Sequence, residues 1–258
     1  MRPRNPRDEV ISGNPWYTED QFAKQYQRPG PRAVIENRWI VFEEAIASYI
    51  ESSGRGSAQD AIQILDAGCG DGINLFGMSK MIRKKGWNAS LNGVDYNELR
   101  VGRASTIPFV KEIVVSPLEA LTFARGRFDI VLCNQVLEHI AQDKRVIAEI
   151  HRILRPGGIL ILGVPNEGCA MGRLRNKVLQ RSILRMTDHV NFYTQKTVTG
   201  LLTTAGYSLR SIVCAGFLTP HSVLHYALSR FAQGRWLLRV LGRILPSQCA
   251  ELIVVAGK

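Results

Sequence analysis

Ile64-Leu65-Asp66-Ala67-Gly68-Cys69-Gly70-Asp71-Gly72 reads as an apolar strand that ends in a carboxylate and runs through glycines into a helix. Glycine reaches backbone conformations closed to other residues and lets a ligand lie against bare main chain. The helix beyond the bend offers unpaired N–H groups and a positive dipole end. A dinucleotide site would want G-x-G-x-x-G, whereas Gly68, Gly70 and Gly72 read G-x-G-x-G behind Asp66. The stretch predicts a cofactor site on a strand-turn-helix unit.

Working outward, Leu91-Asn92-Gly93-Val94-Asp95 reads as a second strand ending in a carboxylate, the place where nucleotide-binding α/β folds hold ribose hydroxyls. Phe128 to Asn134 is an apolar strand followed by Gln135-Val136-Leu137-Glu138-His139-Ile140, and Arg155-Pro156-Gly157-Gly158 turns into the run Ile159-Leu160-Ile161-Leu162. Period and composition predict strands over 62–66, 90–95, 112–115, 128–133, 158–164 and 207–215. Helices are predicted over 36–51, 73–85, 143–154, 174–186 and 194–205. Such alternation argues a parallel sheet covered on both faces, with ligands at the carboxyl ends of the strands.

In this order and spacing, the glycine bend, Asp95, the strand before His139 and the Arg-Pro-Gly-Gly turn resemble class I S-adenosylmethionine (SAM) methyltransferases of the small-molecule type, over about residues 62–207. The relatives it resembles include the ubiquinone-pathway O-methyltransferases and related sugar and lipid methyltransferases. The resemblance implies an α/β, Rossmann-like, seven-stranded, mostly parallel sheet with an antiparallel last strand, here the run 250–256. It implies SAM as cofactor, with Asp66, Gly68, Cys69, Gly70, Asp71, Gly72, Asp95, Tyr96, Asn134 and Gln135 around it. Where the family usually has an Asp for the adenine amino group, this chain has Pro117. Adenine recognition is then expected to lean on Ser116, the Leu118 backbone and packing.

His139 is the candidate catalytic base, because an imidazole titrates near neutrality; the alternative is a histidine that only hydrogen-bonds the scaffold. Some of the resembled enzymes carry Glu-x-x-Glu-His here and bind a divalent ion. In this chain Gln135 replaces the first carboxylate, so no metal is expected; Glu138, His139 and His189 are the candidate ligands if one binds. His221 and His225 have ligand-like spacing without a nearby carboxylate and are expected on a polar face.

With 258 residues and 45% apolar content, the chain can bury one large α/β core. The expected organisation is an N-terminal helical cap and linker over 1–57 and a SAM-binding domain over 58–258, with a helical insertion at about 217–248. The five cysteines are odd in number and scattered, which argues reduced thiols in a cytoplasmic protein. Arg2, Arg4 and Arg7 precede no apolar run, so no signal peptide is expected, nor any membrane span.

The formal charge of +11 is not called for by a cationic cofactor. Two runs without an acidic residue carry much of it. Lys177, Arg181 and Arg185 are expected one helical turn apart, as are Arg235, Arg239 and Arg243, with Trp236, Leu237, Val240, Leu241, Ile244 and Leu245 on the remaining arc. Such stripes serve solvation, an acidic acceptor or an anionic membrane. O-methylation of a small-molecule, sugar or lipid-linked acceptor is the expected reaction, with peripheral membrane contact as one setting. A Pro-Pro-aromatic motif for base amines is absent after the fourth strand, which disfavours nucleic-acid bases. An RNA ribose methyltransferase and a non-catalytic SAM-binding scaffold remain open alternatives.

Overall fold

The computed structural model describes residues 15–56, 60–182 and 188–258, with the side chains of Pro15 and Trp16 excepted. Strands β1 (Ile62–Ala67), β2 (Ala89–Asp95), β3 (Val110–Val115), β4 (Phe128–Asn134), β5 (Leu154–Pro165), β6 (Ser208–Ala215) and β7 (Glu251–Gly257) form one sheet in the order β3-β2-β1-β4-β5-β7-β6. β7 runs antiparallel to both β5 and β6, and the other neighbours are parallel. The strand order reverses between β1 and β4, so the crevice for a ligand opens at their carboxyl ends.

The helices are α1 (Pro15–Thr18), α2 (Pro29–Ser53), α3 (Ile73–Lys85), α4 (Glu98–Ala104), α5 (Asp143–Ile153), α6 (Ala170–Leu174), α7 (Gln195–Thr204), α8 (Ser222–Ser229) and α9 (Ala232–Ile244). Strands buried on both faces read as continuous apolar runs, with alternate residues serving opposite cores. Ile159 and Ile161 of β5 join Trp39, Phe42 and Ile46 of α2 and Leu75 of α3 on one face. Leu160 and Leu162 join Ile147 and Ile150 of α5 and Val198 and Leu202 of α7 on the other. α2 reaches its seat because Gly77 of α3 has no side chain: a Cβ there would come within 2.2 Å of the Trp39 ring.

Several elements differ from the sequence expectation. α2 starts earlier, at Pro29, and ends on Gly54 at φ +65°. α4 is unanticipated; Asn97 starts it by accepting the N–H groups of Leu99 and Arg100. The helix expected over 174–186 does not form as one rod. α6 passes into a wide turn, Arg175–Leu179, and Gln180 leaves helical geometry at φ −146°. Lys177 and Arg181 therefore lie on no common helix, and Arg185 falls outside the described residues. The basic tail at Arg2, Arg4 and Arg7 also lies outside them.

α9 does not pack by its apolar arc. Gly234, Leu238 and Gly242 are its buried stripe, while Trp236, Leu237 and Ile244 are exposed. The reason is backbone contact: Cβ atoms at Gly234 and Gly242 would come within 2.0 Å of the Leu228 carbonyl and 2.1 Å of the Gly216 carbonyl. The small residues, not the apolar arc, make the seam.

Candidate cofactor pocket and catalytic face

The glycine bend is built from left-handed residues, with Gly68, Gly70 and Gly72 at φ +81°, +52° and +82°. A Cβ on Gly68 would come within 2.5 Å of Val136 Cγ2. Asp95, the last residue of β2, closes the bend: its carboxylate accepts the N–H groups of Gly70 at 2.9 Å and Asn97 at 3.0 Å. A carboxylate oxygen has room for more than one donor, so both keep acceptor capacity. Burial raises the Asp95 pKa, against the opposing charge of Arg100.

A cavity of about 450 Å³ lies over this bend, within the range of small-ligand sites. Of the residues singled out in the sequence, Gly68, Cys69, Gly70, Asp71, Asp95 and Tyr96 line it, as do Pro117, Leu118, Asn134, Gln135 and His139. Asp66, Gly72, Ser116, Glu138 and His189 do not. Ser116 Oγ turns instead to the Ala120 carbonyl at 3.2 Å. Asp66 sits behind the bend, 1% exposed, with neither carboxylate oxygen partnered among the described residues. Its pKa is pushed up to about 8 by burial first and by the Asp95 charge second.

The wall facing the bend comes from residues the sequence did not single out. Tyr17, Gln21, Ile35 and Arg38 belong to the N-terminal cap, and Asp188 and Val190 to the loop before α7. The cap is fastened at Asp71, whose buried carboxylate takes Arg100 Nε at 3.0 Å, Arg103 Nη1 at 3.1 Å and the Gln21 N–H at 3.3 Å. Arg103 also donates to the Thr18 carbonyl, and Tyr17 Oη donates to Asp188 Oδ2 at 2.6 Å. No pattern in the sequence announces these pairings, because each joins segments far apart along the chain.

At the end of β4, Gln135 takes up φ +57°, donates its N–H to the Gly163 carbonyl, and reaches Glu251 Oε1 through Nε2 at 3.0 Å. Arg38 holds the other Glu251 oxygen at 2.8 Å. Beyond Gln135 the chain makes a tight turn, and Asn191 ties the loop before α7 to it, donating Nδ2 to the carbonyls of Leu137 and Ile140. The Val190 and Asn191 N–H groups both donate to the Glu138 carbonyl. These bonds bring His189 edge-on to His139, with ring centres 4.7 Å apart.

Glu138, His139 and His189 thus meet, one ligand atom of each lying within 4.8 Å of the others. Glu138 Oε2 and His139 Nδ1 are buried without a partner among the described residues. His189 Nδ1 is held by Glu167 Oε2 at 2.7 Å, and Glu167 is paired with Arg175. The donor set, one carboxylate and two imidazoles of which one is oriented by an outer carboxylate, fits a divalent ion. Gln135 takes no part, its amide being committed to Glu251. Burial, helped by His189, pushes the His139 imidazole down to about 4, so it is neutral at physiological pH. Burial raises the Glu138 carboxyl to about 7. Burial would lower the His189 pKa, but the Glu167 hydrogen bond and charge raise it.

The model of a methyltransferase-domain family matches residues 40–212 of this sequence. The chain belongs to that family. Its fold is the seven-stranded class I form, and SAM is the cofactor. Similar proteins include a probable SAM-dependent methyltransferase of Mycobacterium tuberculosis, 30% identical over 142 residues, 55% of this chain and 47% of that protein. A ubiquinone biosynthesis O-methyltransferase of Psychrobacter arcticus is 25% identical over 218 residues, 79% of this chain and 80% of its own length. The chain spans about half the length of these and similar curated relatives, the Psychrobacter enzyme excepted. A solved SAM-dependent methyltransferase of Thermotoga maritima shares the fold at 17% identity, with a TM-score of 0.57 over 94% of this chain and 99% of that one.

His221 is half-buried. It starts α8, its Nδ1 accepting the Val223 N–H at 3.2 Å. Cys69 and Cys133 are buried free thiols, as packing residues would be.

Proposed function

We propose that this methyltransferase moves the methyl group of SAM to a hydroxyl oxygen of a small-molecule, sugar or lipid-linked acceptor. The observation that carries the proposal is the neutral His139 imidazole on the cavity wall beside the glycine bend, with Nδ1 unpartnered among the described residues. The names of the ubiquinone O-methyltransferases among its relatives support oxygen as the target.

The cofactor, when bound, supplies a methyl group on a positively charged sulfur. Gly68 and Gly70 would give its amino-acid part bare backbone, and Asp95 would hold the ribose hydroxyls. Pro117, Leu118 and Ile140, which line the same cavity, would offer packing surface for the adenine. The cap residues Tyr17, Ile35 and Arg38 exclude water and orient the acceptor, which matters because in-line displacement depends chiefly on alignment. His139 would take the proton that the acceptor hydroxyl loses as its oxygen bonds to the methyl carbon, the methyl–sulfur bond breaks and the electron pair stays on sulfur, which leaves as a neutral thioether.

The convergence of Glu138, His139 and His189 favours a second reading, in which these residues hold a divalent ion whose charge lowers the acceptor hydroxyl's pKa. Isotope-labelled SAM, offered with phenolic, sugar, lipid-linked and ribose hydroxyls with and without a chelator, separates the two. Product methylated on oxygen is expected, with a loss of at least about a hundredfold in His139→Ala and unchanged SAM affinity. Loss of turnover on chelation selects the ion. Methyl on nitrogen or carbon, or turnover unchanged in His139→Ala, overturns the proposal; SAM binding with no acceptor methylated leaves the scaffold alternative.

A further inference from the structure

We infer that α8, α9 and the turn after α6 form a docking face for an anionic lipid bilayer, seating the mouth of the cavity at the membrane. The inference rests on the proposed function only for its meaning; the binding itself is independent of methyl transfer.

Topology fixes the place. β5 and β6 are parallel to β1 and β4, so their carboxyl ends, Pro165 and Ala215, lie at the edge of the sheet that carries the cavity. The segments that leave those ends are the two long excursions of the chain, one through α6 and one through α8 and α9. They are joined to each other: Gln180 Nε2 donates to Ser222 Oγ at 2.6 Å, and Gln180 Oε1 accepts the Ser222 N–H. The second excursion ends at Glu251, the partner of the cavity residues Arg38 and Gln135.

The exposed chemistry suits lipid. With the seam of α9 on Gly234, Leu238 and Gly242, a period of 3.6 residues divides its outward surface into two stripes. One carries Arg235, Arg239 and Arg243; the other carries Trp236 and Ile244, which are 59% and 67% exposed. Beside it, Val223, Tyr226 and Phe231 are 65%, 67% and 64% exposed, and no residue of α8 is fully buried. Val178 and Leu179, next in the chain to Gln180, are exposed as well. Residues 168–182 and 217–248 hold no acidic side chain, and none of these arginines pairs with a described carboxylate.

A helix with an apolar stripe rich in aromatic and aliphatic side chains beside a basic one lies in the plane of a membrane interface. The apolar residues enter the acyl boundary and the arginines reach anionic headgroups. The aliphatic members decide between lipid and nucleic acid. Val178, Leu179, Val223 and Ile244 have no ring on which a base could stack, yet each gains by leaving water for hydrocarbon. Among the described residues no helix is long and apolar enough to cross a bilayer, so the contact is peripheral.

Flotation of the full chain with phosphatidylcholine vesicles, and with vesicles containing phosphatidylglycerol, tests the inference. Binding to the anionic vesicles alone is expected, weakened by salt. Substituting Arg235, Arg239 and Arg243 together by glutamine should lower the partition coefficient roughly a hundredfold. W236S/I244S should lower it at least tenfold without changing the net charge. SAM affinity, read by calorimetry on the same preparations, should stay as in the parent, which shows the variants folded and keeps this result apart from the assignment of the cofactor. Equal binding to neutral vesicles, no binding to either, or binding that W236S/I244S leaves intact overturns it; displacement from anionic vesicles by RNA at physiological salt would reassign the face to nucleic acid.

Discussion

Gly70 donates its N–H to the Asp95 carboxylate at 2.9 Å, joining the glycine bend after β1 to the last residue of β2. One side chain thereby fixes the bend and keeps a carboxylate at the cavity wall, where the proposed function places the ribose. Replacing Asp95 by alanine removes both contributions and leaves the Gly70 and Asn97 N–H groups without their acceptor. SAM affinity should fall by about a hundredfold to a thousandfold, charge-assisted hydrogen bonds being worth about 1.5–3 kcal/mol each. Isothermal calorimetry checks this; affinity within threefold of the parent would remove Asp95 from the pocket.

Asp66 predicts how stability follows pH. Its carboxyl is raised from 3.8 to about 8 in the folded chain, so it stays protonated at neutral pH while the unfolded chain has ionised. Folding must then take up a proton. The stability associated with the neutral acid is complete below about pH 4 and is lost as pH rises through about 8. Asp66→Asn stays neutral throughout, so its urea midpoint should pull ahead of the parent's from pH 4 to 8 and then keep a constant lead. A lead that shrinks with pH contradicts the assignment.

Asn191 is predicted to act on turnover, not on cofactor affinity. Its amide holds the loop that carries His189 against the turn that carries His139. In Asn191→Ala, kcat/KM should fall at least tenfold, while SAM affinity stays within about threefold. Loss of both together would mean that the loop shapes the cofactor site itself.

Asp129 lies near the amino end of β4, away from the cavity. It is fully buried and accepts from Tyr49 Oη at 3.0 Å and the Gln63 N–H at 2.8 Å, with Arg55 at 2.9 Å and Arg155 at 3.0 Å. Truncation to alanine leaves two guanidiniums and two donors without this carboxylate. Unfolding in urea should show a loss of about 3–5 kcal/mol, with SAM affinity unchanged in the folded fraction. A loss below about 1 kcal/mol would show that water satisfies these groups.

The sheet was legible because its cause is local. Buried parallel strands are runs such as Ile159 to Leu162, and the glycines of the bend are needed where φ is positive. The floor of the cavity was legible for the same reason, since Gly68, Asp95 and His139 stand at strand ends. Its roof was not. Tyr17, Arg38 and Asp188 reach it through pairings with Asp188, Glu251 and Tyr17, which depend on tertiary approach and leave no periodic trace. The same limit explains α9. Hydrophobicity left open whether its apolar arc faces inward or outward, whereas close backbone contact at Gly234 and Gly242 turned the glycine stripe inward and left Trp236 outside.

Calorimetric titration of the full chain with SAM and with its demethylated product tests the central claim most directly. One molecule of either should bind per chain, and Asp95→Ala should abolish or cripple both titrations while the chain remains folded by circular dichroism. Heat from neither ligand, or saturable binding of a nicotinamide dinucleotide in their place, would contradict the account.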